Sequence, residues 1–263
     1  MKRDPYPQRI VCLTEESTEM LYLLSEAHRI VGISGFTVRP ARTRKEKPKV
    51  STYTSANIQK IVDLKPDFVI GFSDIQADIA KNLIAMGIEV WVTNHRSIQG
   101  ILDFVVRLGA LVGKADAAIQ WTEAMVAKME KMKQGNEGKL RPRVFFEEWY
   151  DPLFSCIGWV DELITVAGGQ NIFPELAAQG LGKDRIIADP NEVVKRQPDI
   201  ILASWCGKKV VPQKIMARPG WQELKAVQNG HVYEVDASII LQPGPAALTE
   251  GLDILHGLIQ KVM

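Results

Sequence analysis

Residues 114–133, KADAAIQWTEAMVAKMEKMK, decide how the rest of the chain is arranged. Ala118, Trp121, Met125, Met129 and Met132 recur at steps of three and four, so one face is apolar, while Glu123, Lys128, Glu130, Lys131 and Lys133 point elsewhere. The spacing predicts one amphipathic helix of about five turns or more.

Its two flanks carry the same motif, SANIQKIVDLKPDFVIGFSD at 55–74 and ADPNEVVKRQPDIILASWC at 188–206. In each, a small polar residue or Asp-Pro opens a short helix and a proline breaks it. An apolar run follows, with Asp directly after the proline, and ends in Ser. A helix-to-strand unit is thus used twice, once on either side of the long helix. Similar units occur in any α/β protein, but their matching placement around one helix favours two related lobes.

Outward from these units, strands are expected at 9–13, 30–34, 68–72 and 89–92, alternating with helices at 18–27, 75–86 and 98–112. Residues 36–54 read as an irregular loop, the longest in the first half. In the second half, a strand at 144–149 leads to a helix at 159–167 stopped by Gly168 and Gly169. Short helices at 212–216 and 221–225, a strand at 231–235 and a terminal helix at 246–261 complete the reading. RIVCLTEE and VFFEEW begin the two lobes alike, each strand running into two glutamates. Strands separated by helices predict parallel sheets, with ligands at the carboxyl ends of the strands. The divisions are a lobe at 1–113, a linking helix at 114–139 and a lobe at 140–263.

At 263 residues and a formal net charge of +1, the chain can bury a core in each lobe and carries no nucleic-acid footprint. The basic run RPARTRKEKPK at 39–49 is either a solvated loop or an attraction for an anionic ligand. Three cysteines without paired spacing argue against a disulfide framework or a zinc motif. The start, MKRDPYPQRIVCLTEES, holds no apolar signal core, and no run is long enough to span a membrane. The expectation is a cytoplasmic protein that is not membrane-embedded, or a periplasmic one if a leader has been removed.

RIVCLTEESTEMLYLL followed by RIVGIS, ANIQKIVDLKPDFVIG, the long helix, WVDELITVAGGQNIF and DPNEVVKRQPDIILAS together cover nearly the whole chain. In these features it resembles the class III substrate-binding proteins of ABC importers, a family that binds cobalamin, ferric siderophores and haem. GGQNIF at 168–173 is the most specific of them. The resemblance implies two Rossmann-like α/β lobes with parallel sheets joined by one long backbone helix. It further implies a ligand held in the cleft between the lobes, with small hinge motion, no catalysis and no required cofactor; the cobalamin-binding branch is nearest. Permease-docking members carry a glutamate near the start of each repeat helix. Here the matching positions are Gln59 and Asn191, with Glu192 adjacent.

Candidate ligand contacts come from strand ends and loops. Glu15 and Glu16, like Glu147 and Glu148, either receive hydrogen bonds from a ligand or a hard metal, or serve as helix-dipole partners and surface acids. Phe36, Tyr53, Trp149, Tyr150 and Trp205 offer ring faces to a flat macrocycle, with core packing as the alternative that claims Trp159 or Phe72. Ser73, Arg39, Arg96, Lys208 and Gln242 complete the expected set, and Arg42, Lys183, Arg185 and Lys209 read as solvated surface or anion contacts. His95, Glu148 and Cys206 are a candidate metal trio, against the reading of Cys206 as a bystander. No phosphate loop, nucleophile elbow or paired zinc histidines are present, so enzymatic chemistry is not expected. The reading is a monomeric binding protein for a cobalamin-like corrinoid or another bulky metal chelate, with an ABC permease as partner. The alternative is a cytoplasmic sensor or carrier of the same fold.

Overall fold

The computed structural model describes residues 4–263. The chain divides into two compact units, one comprising the chain up to His95 with Gln99–Ala124, the other Arg96–Ile98 with Met125–Met263. Each is an α/β lobe built around a five-stranded sheet.

In the first unit the strands are β1 (Ile10–Cys12), β2 (Ile30–Ser34), β3 (Lys49–Ser51), β4 (Phe68–Phe72) and β5 (Val90–Thr93). They pair in parallel in the order β3-β2-β1-β4-β5. Ile10, Val11, Cys12, Val69 and Ile70 have no exposed surface, as a strand covered on both faces requires. The strand order reverses between β1 and β4, and such a reversal opens a crevice at the strand ends. Residues 36–54 are not one loop: the helix Thr43–Glu46 and β3 lie within them. Lys49-Val50-Ser51 holds a single apolar residue, too little for a periodic signal. The helix after β1 runs from Glu15 to Leu23, starting earlier than position 18 because extended Thr14 (φ −139°, ψ 164°) is its N-cap.

The second unit contains β6 (Arg143–Trp149), β7 (Phe154–Ser155), β8 (Gln170–Asn171), β9 (Ile200–Ala203) and β10 (Val232–Glu234). β9 and β8 pair with β6 in parallel, and β10 extends the sheet beyond β9. The two-residue β7 folds back antiparallel onto the end of β6, a departure from the all-parallel expectation. Phe145, Ile201, Ala203, Trp221 and Leu224 form the centre of a core cluster that also includes Phe173 and Trp205.

The duplicated unit folds the same way twice. The helices Ile58–Asp63 and Asn191–Arg196 precede β4 and β9. Each ends in a left-handed residue directly before its proline, Lys65 (φ 46°) and Gln197 (φ 45°). The aspartate after the proline then pins the new strand to the first strand of its sheet. Gln8 and Arg9 donate their backbone N–H groups to Asp67 at 2.7 and 2.9 Å, and Arg143 donates its own to Asp199 at 2.8 Å. The long helix runs Ala115–Gly135, 21 residues, or about 30 Å at the usual rise. Ala118 and Met129 are buried and Trp121, Met125 and Met132 half-buried, so the expected stripe is the packed one. The last helix begins as a π turn at Ala247–Gly251 before Leu252–Ile259, and its Leu248, Leu252, Leu255 and Ile259 are fully buried.

Candidate functional site

In the first unit the crevice between β1 and β4 is edged by the glutamate doublet. Glu15 is 5% exposed, and the Tyr53 hydroxyl donates to its carboxyl oxygens at 3.1 and 3.2 Å. Tyr53 stacks on Phe36 with ring centroids 4.9 Å apart, and Phe36 is 39% exposed, so the pair presents a ring face. Burial raises the Glu15 carboxyl to about 7 against the opposing pull of the Tyr53 bond. Glu16 is buried completely. Its Oε1 receives the Thr14 hydroxyl, its Oε2 has no hydrogen-bond partner, and burial pushes the carboxyl up to about 8. The Thr14 side chain therefore serves Glu16 and not a helix N–H.

Gln76, which sequence patterning does not single out, holds this edge together. Its Nε2 donates to the Leu13 carbonyl at 3.3 Å and the Tyr53 carbonyl at 3.1 Å, while its Oε1 receives the Phe72 N–H at 2.9 Å. A Cβ on Gly71 would lie 2.8 Å from that Oε1, so the amide needs glycine there. Ser73, buried and left-handed at φ 66°, donates its hydroxyl to Asp74 at 2.6 Å. At the end of β5, His95 stacks on Phe104 at 4.9 Å and meets the edge of Phe72 at 5.2 Å. It lines a hollow of about 330 Å³ with Trp91, Asn94, Asp103 and Arg107. Arg39 donates from Nε to Glu19 at 3.0 Å, on the rim of a second hollow of about 520 Å³.

In the second unit the two glutamates of β6 point to opposite sides, as neighbours on a strand must. Glu147, with no exposed surface, receives both terminal nitrogens of Arg218 and the Trp205 Nε1–H at 3.1 Å. Arg218 lies over the rings of Tyr150 (4.3 Å) and Trp221 (4.6 Å) and donates to the Tyr150 carbonyl at 3.1 Å. Glu148 is gripped by both terminal nitrogens of Arg185, which also donates to the Ser155 carbonyl at 2.9 Å. Trp149 is half-buried, with Lys208 Nζ 4.7 Å from its ring centre. The turn at 205–208, with Gly207 left-handed at φ 71°, brings Lys208 there.

Several expected assignments are corrected. Trp205 is 6% exposed and packs edge-on to Tyr150 at 5.3 Å as part of the core, because its indole N–H is drawn in to Glu147. Trp159 is core, as its alternative reading had it, donating to the Ile240 carbonyl at 3.0 Å. Arg185 is 3% exposed and is not solvated surface. Glu148 is occupied by Arg185, and among the described residues no group of three or more His, Cys, Asp or Glu side chains is gathered to hold a metal. Cys206 is exposed, Arg96 half-buried and Gln242 5% exposed. Gln59 is exposed and donates to Asp63 at 2.7 Å. Asn191 is exposed at the first position of its helix, and Glu192 pairs with Lys195 at 2.5 Å. Arg218, like Gln76, is a residue the sequence reading missed; a buried Glu147 demands a cation, but nothing in the pattern names which.

Residues 10–239 match the family described as periplasmic binding protein. The chain belongs to the periplasmic binding protein family. Among relatives of this chain, a vitamin B12-binding protein of Vibrio campbellii (strain ATCC BAA-1116) is 25% identical over 97% of this chain and 91% of its own length. An uncharacterized ABC transporter substrate-binding lipoprotein, YvrC, of Bacillus subtilis (strain 168) is 28% identical over 95% of this chain and 79% of its own. The fold is shared with a possible iron-binding (periplasmic solute-binding) protein of Staphylococcus epidermidis ATCC 12228, at a TM-score of 0.81 and 22% identity over 97% of this chain and 99% of that one. No helix among the described residues is long and apolar enough to cross a membrane.

Proposed function

We propose that this chain binds a bulky metal chelate, a cobalamin-like corrinoid or an iron chelate, and passes it unchanged to an ABC permease. The observation that carries the reading is the common construction of the two units. Each has a glutamate doublet at or just past the end of its first strand, Glu15-Glu16 opening the helix after β1 and Glu147-Glu148 within the end of β6, and the first member is tied to an aromatic side chain, Glu15 to Tyr53 and Glu147 to Trp205. Beside these stand aromatic side chains with polar edges, the Phe36–Tyr53 stack and half-buried Trp149, which suit a large ligand that is flat and apolar in the middle and polar at its rim. Capture is an equilibrium between free and bound ligand, with no bond made or broken. The B12-binding relative supports this class of ligand.

Calorimetric titration with cyanocobalamin, haemin and a ferric siderophore tests it. Saturable binding at micromolar concentration or tighter, weakened about tenfold by Phe36→Ala or Trp149→Ala, is the expected result. Absence of binding to all three removes the reading. A second reading, a carrier that acts without a permease, is favoured by the amides Gln59 and Asn191 at the positions where docking relatives are expected to place carboxylates. Stimulation of a candidate permease's ATPase by the loaded protein separates the two.

A further inference from the structure

We propose that the first unit carries a second binding site, separate from the strand-end edge, for a small amphiphilic anion: one carboxylate or phosphate on an apolar body. The site is the hollow of about 520 Å³ beside the helix Glu15–Leu23, lined only by residues of that unit. Its volume falls in the range of about 300–1,000 Å³ usual for small-molecule pockets. None of Glu15, Phe36, Tyr53 or Gln76 lines it; it opens at Glu19, Tyr22 and Leu23, about one to two turns along the helix from Glu15. Two apolar side chains meet there in the open, Leu23, 52% exposed, and Val38, 38% exposed, with Pro40 and Ala41 beside them. The last turn of a helix ordinarily favours a cation, yet this one has none and ends in Tyr22-Leu23.

The rim selects the charge. The charged groups that line the hollow are Glu19, Arg39 and Arg42. Arg39 is held by Glu19 at 3.0 Å, so that pair is neutral as a whole. Arg42, whose side chain is 67% exposed, lies over the Tyr22 ring with its guanidinium carbon 5.0 Å from the ring centre. Its acid, Glu46, stands 3.8 Å from Nε, beyond hydrogen-bond length, while the other oxygen of Glu46 accepts the Tyr22 hydroxyl at 2.6 Å. An exposed pair of that length is worth little, so the Arg42 fork can turn to the head of a ligand at small cost. Around it, residues 39–49 hold six bases against one acid, a local field that draws anions and repels cations. One fork matches one anionic head, and Leu23 with Val38 receives the apolar body.

Octanoate titrated into the isotopically labelled full chain tests the site, with the methyl signals of Leu23, Val38 and Ala41 followed by NMR. Acetate, which lacks the body, and octylammonium, which reverses the charge, are the controls. Saturable shifts at these methyls with octanoate are the expected result, with both controls weaker by about tenfold or more. Arg42→Gln, a change on an exposed side chain, should weaken octanoate about tenfold while the free protein keeps its methyl spectrum. No saturable shift, an equal response to octylammonium, or unchanged octanoate affinity in Arg42→Gln each overturns the proposal. Cosedimentation with phosphatidylglycerol vesicles but not phosphatidylcholine vesicles, without octanoate binding, makes the patch a membrane contact and overturns the small-molecule site. The proposed chelate binding rests on other residues and stands or falls separately.

Discussion

A carboxylate buried without exposure must be matched by donors, and Glu147 has Arg218 and Trp205. Arg218→Ala is therefore expected to cost about 3–5 kcal/mol in urea unfolding, because it leaves an uncompensated buried charge. Arg218→Lys should recover only part, since one ammonium cannot reproduce a two-point grip together with the bond to the Tyr150 carbonyl. Tyr53→Phe is milder: Glu15 keeps its place but loses the hydroxyl, at about 1–2 kcal/mol by the same measurement. At this scale the sequence shows half of each pair. The glutamates stand out because each doublet follows an apolar run. Their partners lie 38 and 71 residues away in positions with no periodicity, and Gln76 reaches 63 residues back to Leu13. Contacts of that separation are set by the packed sheet, which local pattern does not encode.

Elements were legible in proportion to the apolar residues they carry. The 21-residue helix and the buried strands β1, β2 and β4 carry enough apolar positions to fix period and face. β3, β7 and β8 are two or three residues long and exist because a neighbouring strand offers them a ladder. Packing between elements is likewise invisible until the backbone is placed. In the first unit Gly109, on the helix Ile98–Leu111, faces Ala118 on the long helix, and an added Cβ would come within 2.3 Å of the alanine's own. Gly109→Ala is expected to destabilise by about 1–3 kcal/mol through overpacking. Ala118→Gly placed beside Gly109→Ala should restore part of the loss, and thermal unfolding of the single and double variants shows whether the two positions are coupled.

For the whole molecule, the acid pair at the end of β1 makes stability depend on pH in an unusual direction. Glu16 has its folded carboxyl raised to about 8 and Glu15 to about 7, both above the unfolded range. Between the unfolded and folded values the native state binds the extra protons, so stability is full only below the unfolded value of 4.5, falls as pH rises from there, and levels off above about 8. From pH 5 to pH 8 the Glu16 contribution is on the order of 2–3 kcal/mol. Denaturant midpoints measured across that range should decline, and Glu16→Gln should flatten the decline; a rising midpoint would refute the assignment. The two-lobe architecture itself was readable because it is written twice, in the same Pro-Asp unit on either side of one long helix. That repetition extends to a shared imperfection. Lys65 and Gln197 both occupy a backbone conformation that costs a side-chain-bearing residue about 1–2 kcal/mol, partly offset for glycine by its freer unfolded chain. For an engineer building a ligand sensor on this scaffold, these are two ready points of improvement. Lys65→Gly and Gln197→Gly should each raise the melting temperature by a degree or more, and because one lies in each lobe and neither belongs to the strand-end edge, their gains should add without retuning what the sensor detects.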